Sequence, residues 1–405
     1  MPFAFVAVSP AWPASTATWA LQDVVQEARR ASPAAREARA RWEAAAAAAR
    51  GSGALPDPMA ELGSKREPGD ERMVSLGVSQ DFPFPGKRGL ERRSAEAAAA
   101  QLGELARAAE AEAAASARVL YHRLNLLDET AGILERTSEL LRGVVKSAEA
   151  RLASAKGELG DAFIAQTELE EVRNRLFEAR RQRLLEEAAF NALLGRPVQG
   201  PVGPTRPPEL EELTLPLEKV QDMARAASPE LGASRWELAL STLERSRGRY
   251  AWAPDFRAGY ERMRMAGGGE GGWSWKAGVS LPLWTARQRA EAAAAPPRAE
   301  ERSAAAERMR LEVEREVARE YVEVRTHLQL ARNGRDVIIP LAQGAVDVLR
   351  RGYEAGKTDI LKVLESARTL LRTELEYQEQ VYHYGEHWAL LERWAGRSLP
   401  AGGRP

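Results

Sequence analysis

The sequence contains no cysteine, which excludes disulfides, thiolate metal sites, a catalytic thiol and a lipidated cysteine. Aromatic residues are scarce, at 6%. No run reaches the ~18–20 apolar residues that a membrane-spanning helix needs. Neither charge sign is in excess: Lys+Arg and Asp+Glu are both 58, so there is no bulk basicity to attract nucleic acid. A basic leader region is missing too, since the first Arg or Lys is Arg29. The opening MPFAFVAVSPAWPASTATWA reads either as the later part of a secretory signal, with cleavage near Ala17, or as an apolar tail over 1–20. What is plentiful is alanine, glutamate, arginine and leucine, a bias that favours long helices and coiled coils.

The chain is written twice over one plan, and such a repeat outranks local readings. Ala31-Ser32-Pro33 recurs as Ala227-Ser228-Pro229, shifted by 196 positions. Gly77-Val78-Ser79 recurs as Gly278-Val279-Ser280, shifted by 201. Gly157 and Gly356 open the last long helix of each copy, and Gly195 and Gly396 close it. The expected organisation is a first repeat over 21–200, a Pro-rich connector over 201–216, a second repeat over 217–397 and a tail over 398–405. Each repeat holds a helix, a β-hairpin (about 56–83 and 254–283) and a long helical hairpin, with turns near 155–160 and 354–359. Pro33 suits a helix restart behind Ser32. Ala165, Leu169, Val172 and Leu176 step by coiled-coil spacing. Pro296-Pro297 is expected to kink or restart the helix there, and Pro340 to interrupt it again.

The hairpin strands alternate. Val74, Leu76 and Val78 are separated by Ser75 and Gly77, and Phe256, Ala258 and Tyr260 by Arg257 and Gly259. Trp273, Trp275, Ala277, Val279 and Leu281 alternate with Ser274, Lys276, Gly278 and Ser280. The turns expected between them are Pro68-Gly69-Asp70 and the glycine run Gly267 to Gly272. Strands of ~9–11 alternating residues can cross a bilayer with lipid on one face and water on the other. In lipid the backbone must be fully paired, so such strands must close into a barrel. Four strands cannot close one, since membrane barrels start at about eight, so spanning strands imply an oligomer. The soluble alternative is two hairpins capping a helical bundle.

Several features together resemble the outer-membrane efflux protein family, the TolC-like channels of Gram-negative bacteria. These are the duplicated Ala-Ser-Pro helix start, the strand-into-proline segments at Gln80–Arg88 and Val279–Trp284, YEAGKTDILKVLES over Tyr353–Ser366, and the closing Leu194-Gly195 and Trp394-Ala395-Gly396. The likeness covers about Leu21 to Gly396. The GKR form at Gly86-Lys87-Arg88 resembles the branch that works with metal-ion pumps of the resistance-nodulation-division type. The sequence departs from the pattern at Ala155-Lys156-Gly157, which lacks the tyrosine seen before the second turn.

The resemblance implies a mostly α fold with a small β part. Long antiparallel helical hairpins would form an α-barrel in the oligomer, and two β-hairpins would give four strands to a shared transmembrane β-barrel. It implies an outer-membrane exit duct with a periplasmic extension, acting in a tripartite efflux or secretion system. The duct would be a homotrimer working with a periplasmic adaptor (membrane-fusion) protein and an inner-membrane pump. No enzyme activity, cofactor or nucleic acid is implied. The small-residue turns would be the periplasmic tip and adaptor contact, carried by Lys156, Gly157, Leu159, Gly160, Gly356, Lys357 and Asp359. Val74, Leu76, Val78, Trp273, Trp275 and Val279 are expected to face lipid.

His383 and His387 share one helix face at i and i+4, a spacing zinc or copper could use, but two ligands alone do not make a site. Glu386 is not in the H-E-x-x-H position, so no metalloprotease is indicated. The Gly267–Gly272 run lacks the Lys-Ser/Thr of a phosphate loop. The rival functions are therefore a soluble coiled-coil scaffold, or a periplasmic metal-binding protein using His383 and His387.

Overall fold

The computed structural model describes residues 19–66, 72–250, 252–265, 271–281 and 285–400. The segment over 1–20, read as a signal remnant or an apolar tail, falls almost wholly outside them. So do the Pro68-Gly69-Asp70 turn, most of the Gly267–Gly272 tip and the end of the Val279–Trp284 segment.

The elements run in the order α1 (Leu21–Ala31), α2 (Pro33–Gly51), β1 (Met59–Arg66), β2 (Arg72–Phe82), α3 (Lys87–Ala153), α4 (Leu159–Leu193), α5 (Leu217–Ala227), α6 (Pro229–Tyr250), β3 (Asp255–Met265), β4 (Gly272–Ser280), α7 (Ala286–Asn333), a π-helical turn (Gly334–Ile338), α8 (Ile339–Glu354) and α9 (Ile360–Ala395). Helix α1 stops where Ser32 leaves the helical region, at φ −52°, ψ 128°, and Pro33 opens α2. Ser228 does the same before Pro229, at φ −60°, ψ 123°. Both serines satisfy proline's preference for an extended residue before it. Gly195 and Gly396 sit at φ 67° and 72°, the left-handed conformation that ends helices α4 and α9.

Three prolines lie within helical runs. Helix α7 runs through Pro296 and Pro297 without a break. Both are exposed, so water can hydrate the carbonyls that lose their amide partners. Pro340 does not end the helical run either. It lies in the first turn of α8, and the preceding turn widens to a π-helix while Asn333, Ile338 and Ile339 keep α-region backbone. A π turn absorbs a register mismatch that an unbroken α-helix cannot.

The chain divides into two units. The first comprises Met1–Arg36, Ala109–Ser228 and Val313–Pro405. Its main core joins Ile133, Leu134, Leu141 and Val144 of α3 to Ala165, Leu169 and Val172 of α4 and Ile360, Val363 and Leu364 of α9. The coiled-coil stripe read along α4 is thus buried, with Leu176 packed against it. A second cluster gathers Val24, Ala28, Tyr121, Leu124, Phe190 and Leu194. The 196–216 connector is held by tyrosines, among them Tyr321, whose Oη donates to Leu215 O (3.1 Å). Arg206 N donates to Tyr121 Oη (2.9 Å), and Tyr384 Oη donates to Glu211 O (2.9 Å).

The second unit comprises Glu37–Ala108 and Pro229–Glu312 and carries one sheet of order β1-β2-β3-β4, antiparallel throughout. The Pro83–Arg88 segment anchors the sheet's end. Phe84 N and Lys87 Nζ both donate to Asp255 Oδ1 (2.8 Å each), Lys87 Nζ also reaches Ala253 O (2.9 Å), and Arg88 Nε reaches Gly53 O (2.7 Å). The Gly86-Lys87-Arg88 motif therefore has a structural role, tying α3 to the strand β3.

Candidate functional sites: the strands, the helix-reversal turns and a histidine cluster

The strand register sorts side chains onto two chemically distinct faces. Leu62 pairs with Leu76, Ala60 with Val78, Val78 with Tyr260 and Tyr260 with Trp275. Phe256 pairs with Val279, and Trp273 with Arg262. Because successive residues point to opposite faces, Val74, Leu76, Val78, Tyr260, Trp273, Trp275 and Val279 share one face. That face is bare: Leu62 is 79% exposed, Leu76 60% and Trp275 72%. The Tyr260 and Trp275 rings meet at 5.1 Å.

The opposite face is polar and internally neutralised. Arg257 forks onto Asp81 with Nε–Oδ1 2.5 Å and Nη2–Oδ2 2.9 Å, and Lys276 pairs with Glu261 at 2.5 Å. The structure thus brings all six predicted strand residues onto one largely apolar face, which Arg262 and Arg264 join at one end, and sets Lys276 on the other. Strands β1 and β4 end the sheet.

The two helix-reversal turns are built alike, in a way the sequence pairing of Gly157 with Gly356 misses. Lys156 N bonds Arg151 O (2.9 Å) and Ala155 N bonds Leu152 O (3.0 Å). Lys357 N bonds Gly352 O (2.8 Å) and Gly356 N bonds Tyr353 O (2.9 Å). These are two Schellman caps. The residue equivalent to Gly356 (φ 73°) is Ala155 (φ 55°), not Gly157. Gly157 is needed for a different reason: a Cβ there would come 2.9 Å from Arg151 Cβ and 3.1 Å from Leu152 N.

Arg151 ties the two turns together. Its Nη1 donates to Tyr353 O (2.8 Å), its Nη2 to Lys156 O (2.9 Å), and its guanidinium lies 4.9 Å from the Tyr353 ring centre. Tyr353 Oη meets Asp161 Oδ2 at 3.3 Å. Burial, and then the Asp161 charge, push the phenol above its usual range. Tyr353 therefore stays a neutral hydrogen-bond donor at physiological pH. Asp359 caps α9 by accepting from Leu361 N (2.8 Å). Glu158, the corresponding residue before α4, makes no side-chain cap bond. Leu159 is 56% exposed and Gly160 faces open space. The seven predicted turn residues therefore lie on two neighbouring turns, and Arg151 and Tyr353 are the positioning groups that sequence reasoning missed.

The helix pair α7 and α9 adds a third feature. His383 and His387 do lie on one face, their ring centres 6.1 Å apart, and His327 of α7 packs against both, 5.0 Å from His383 and 5.2 Å from His387. His387 Nδ1 meets Glu320 Oε2 at 2.6 Å, and His327 Nδ1 meets Gln380 Oε1 at 2.7 Å. His383 Nδ1 meets Glu386 Oε2 at 2.9 Å. His327, 56 positions before His383, gave no sequence signal of its partnership.

Among the described residues no helix is long and apolar enough to cross a membrane. Residues 220–397 match the model of a family described as outer membrane efflux protein. No curated protein sequence matches the chain. Solved structures match over almost the whole fold. VceC, an outer membrane protein of Vibrio cholerae, is 18% identical with a TM-score of 0.80, over 94% of this chain and 97% of its own. The CmeC outer membrane channel of Campylobacter jejuni is 15% identical with a TM-score of 0.81, over 95% and 87%. The open state of the MtrE outer membrane channel of Neisseria gonorrhoeae is 17% identical with a TM-score of 0.79, over 95% and 91%. At these identities the structures establish the fold alone, and the family match lies in the second half of the chain, which is similar to outer membrane efflux proteins.

Proposed function

We propose that three copies of this chain form a passive exit duct, each giving four strands to a twelve-stranded barrel in the outer membrane and its helices to a periplasmic extension. The observation that carries this is the sheet: one exposed apolar face, one ion-paired polar face and two open edges. The apolar face suits lipid and the Arg257–Asp81 and Lys276–Glu261 pairs suit a water-filled lumen. Open edges in lipid leave backbone groups unpaired, so copies must pair β1 with β4 of a neighbour. An exposed seam on α4, with Phe163, Phe177 and Leu184 all 65% exposed and at multiples of seven residues, supports helix packing between copies.

The duct catalyses nothing in this reading. A separate inner-membrane pump supplies the energy, and a periplasmic adaptor docks on the turns at Lys156, Gly157, Leu159 and Gly160 and at Gly356, Lys357 and Asp359. Leu159 supports the docking role because it is a large apolar side chain left bare at a turn. The test uses Leu159→Arg, at an exposed position, and Gly160→Arg, where an added Cβ meets no neighbour. Export in cells should fail while the cross-linked trimer and its outer-membrane yield stay unchanged. Normal export, or loss of export only with loss of assembly, overturns the docking assignment. A stably inserted monomer, seen by cross-linking at native expression, overturns the shared barrel.

A further inference from the structure

We propose that His327, His387 and Glu323 form a binding site for one divalent transition-metal ion of the zinc, nickel or copper class, with His383 and Glu386 beside it. Three of the chain's four histidines meet here, from two different helices. One ligand atom from each of Glu323, His327 and His387 lies within 4.8 Å of the others. The same holds for His383, Glu386 and His387. Ligands around one tetrahedral ion at ~2.0–2.2 Å lie ~3.4 Å apart, so side-chain adjustments of about 1 Å suffice.

The hydrogen bonds prepare the ligands. A carboxylate and an amide oxygen can only accept, so His387 and His327 must each carry their proton on Nδ1. That leaves Nε2 as the lone-pair nitrogen on both rings, the tautomer a metal needs. Glu320, with its side chain 3% exposed, stands behind His387 as the outer carboxylate that fixes ring orientation and raises its basicity. His327 Nε2 already faces Glu323 Oε2 at 3.5 Å. The side chains of His327 and His387 are 16% and 13% exposed, sheltered from bulk water but open to an ion. Imidazole with carboxylate suits late first-row ions and not magnesium or calcium, which take oxygen ligands. Bound there, the ion cross-links α7 to α9.

The experiment uses the untagged full-length chain in detergent at pH 7.5. Zinc is titrated by calorimetry and copper is followed by electron paramagnetic resonance. Wild type should take up one zinc per chain, ignore calcium, and give a copper signal with hyperfine splitting from at least two nitrogens. His327→Asn and His387→Asn should each weaken zinc binding at least 10-fold, and Glu320→Gln by about 10-fold through lost orientation. His122 remains in every variant as a histidine outside the cluster. Substoichiometric zinc uptake, a copper signal without nitrogen splitting, or unchanged affinity in His327→Asn overturns the site. The copper spectrum of the wild type answers the question even if a variant misfolds.

Discussion

The imidazole of His122 fills the space that a side chain at position 385 would need: a Cβ on Gly385 would come 2.7 Å from His122 Cδ2 and 2.9 Å from Cγ. Helix α9 thus keeps a glycine mid-helix, where alanine would gain about 1 kcal/mol of propensity, because helix α3 places a buried ring against it. Gly385→Ala should therefore destabilise the chain, by about 1–3 kcal/mol from overpacking. Denaturant unfolding of the detergent-solubilised protein checks this; a stabilised variant would mean the ring moves aside freely.

The same ring makes stability pH-dependent. His122 is 5% exposed, and burial, with Arg118 adding repulsion, pushes its pKa down to about 4. The unfolded chain, near 6.5, then binds the proton more readily than the folded one. Stability is fully present above about pH 6.5, falls as pH drops toward 4 and levels off below, a change on the order of 3 kcal/mol. His122→Gln, which cannot titrate, should flatten that part of the unfolding-versus-pH curve. An unchanged slope would assign the pH dependence to other groups.

Ala155 holds a left-handed conformation that alanine adopts at a penalty of roughly 1 kcal/mol or more. Ala155→Gly should relieve it, with a net gain of about 0.5–1 kcal/mol after the extra freedom of the unfolded chain is counted. Gly356→Ala should do the reverse, losing about 1–2 kcal/mol, since φ is 73° and the new Cβ would sit 3.1 Å from Arg151 Nη1. Matching signs at the two sites in thermal melts would contradict the equivalence of Ala155 with Gly356.

Strand polarity can be tested at adjacent residues. Val279 lies on the apolar face and Ser280 on the other. Val279→Arg should destabilise an inserted barrel by about 2–4 kcal/mol if mid-bilayer, while Ser280→Arg should be tolerated. A membrane-assembly assay showing equal yields would remove the lipid-facing assignment.

Much of this was legible in the residues. Period-two alternation marked the strands, because a pleat exposes every second side chain to one environment. Ala165, Leu169 and Val172 revealed a buried stripe, since a helix seam repeats at three and four. The Ala-Ser-Pro starts and the closing glycines follow from backbone stereochemistry, which is local. What escaped was non-local. Arg151 reaching Tyr353 and His327 packing against His383 and His387 depend on which helix lies beside which, and no spacing encodes that. Pro296 and Pro297 can sit inside helix α7 because exposure lets water hydrate the freed carbonyls, and exposure is settled only by folding.

The strand count has a consequence of parity. Strands β1 to β4 alternate in direction, so β4 runs opposite to β1. Set beside the next copy's β1, it makes an antiparallel neighbour of the same kind as those within each chain. An even number lets a ring of identical copies close with no parallel seam, whatever the number of copies. Such a seam would be head-to-tail, so one substitution at either edge would be felt at every junction of the ring at once.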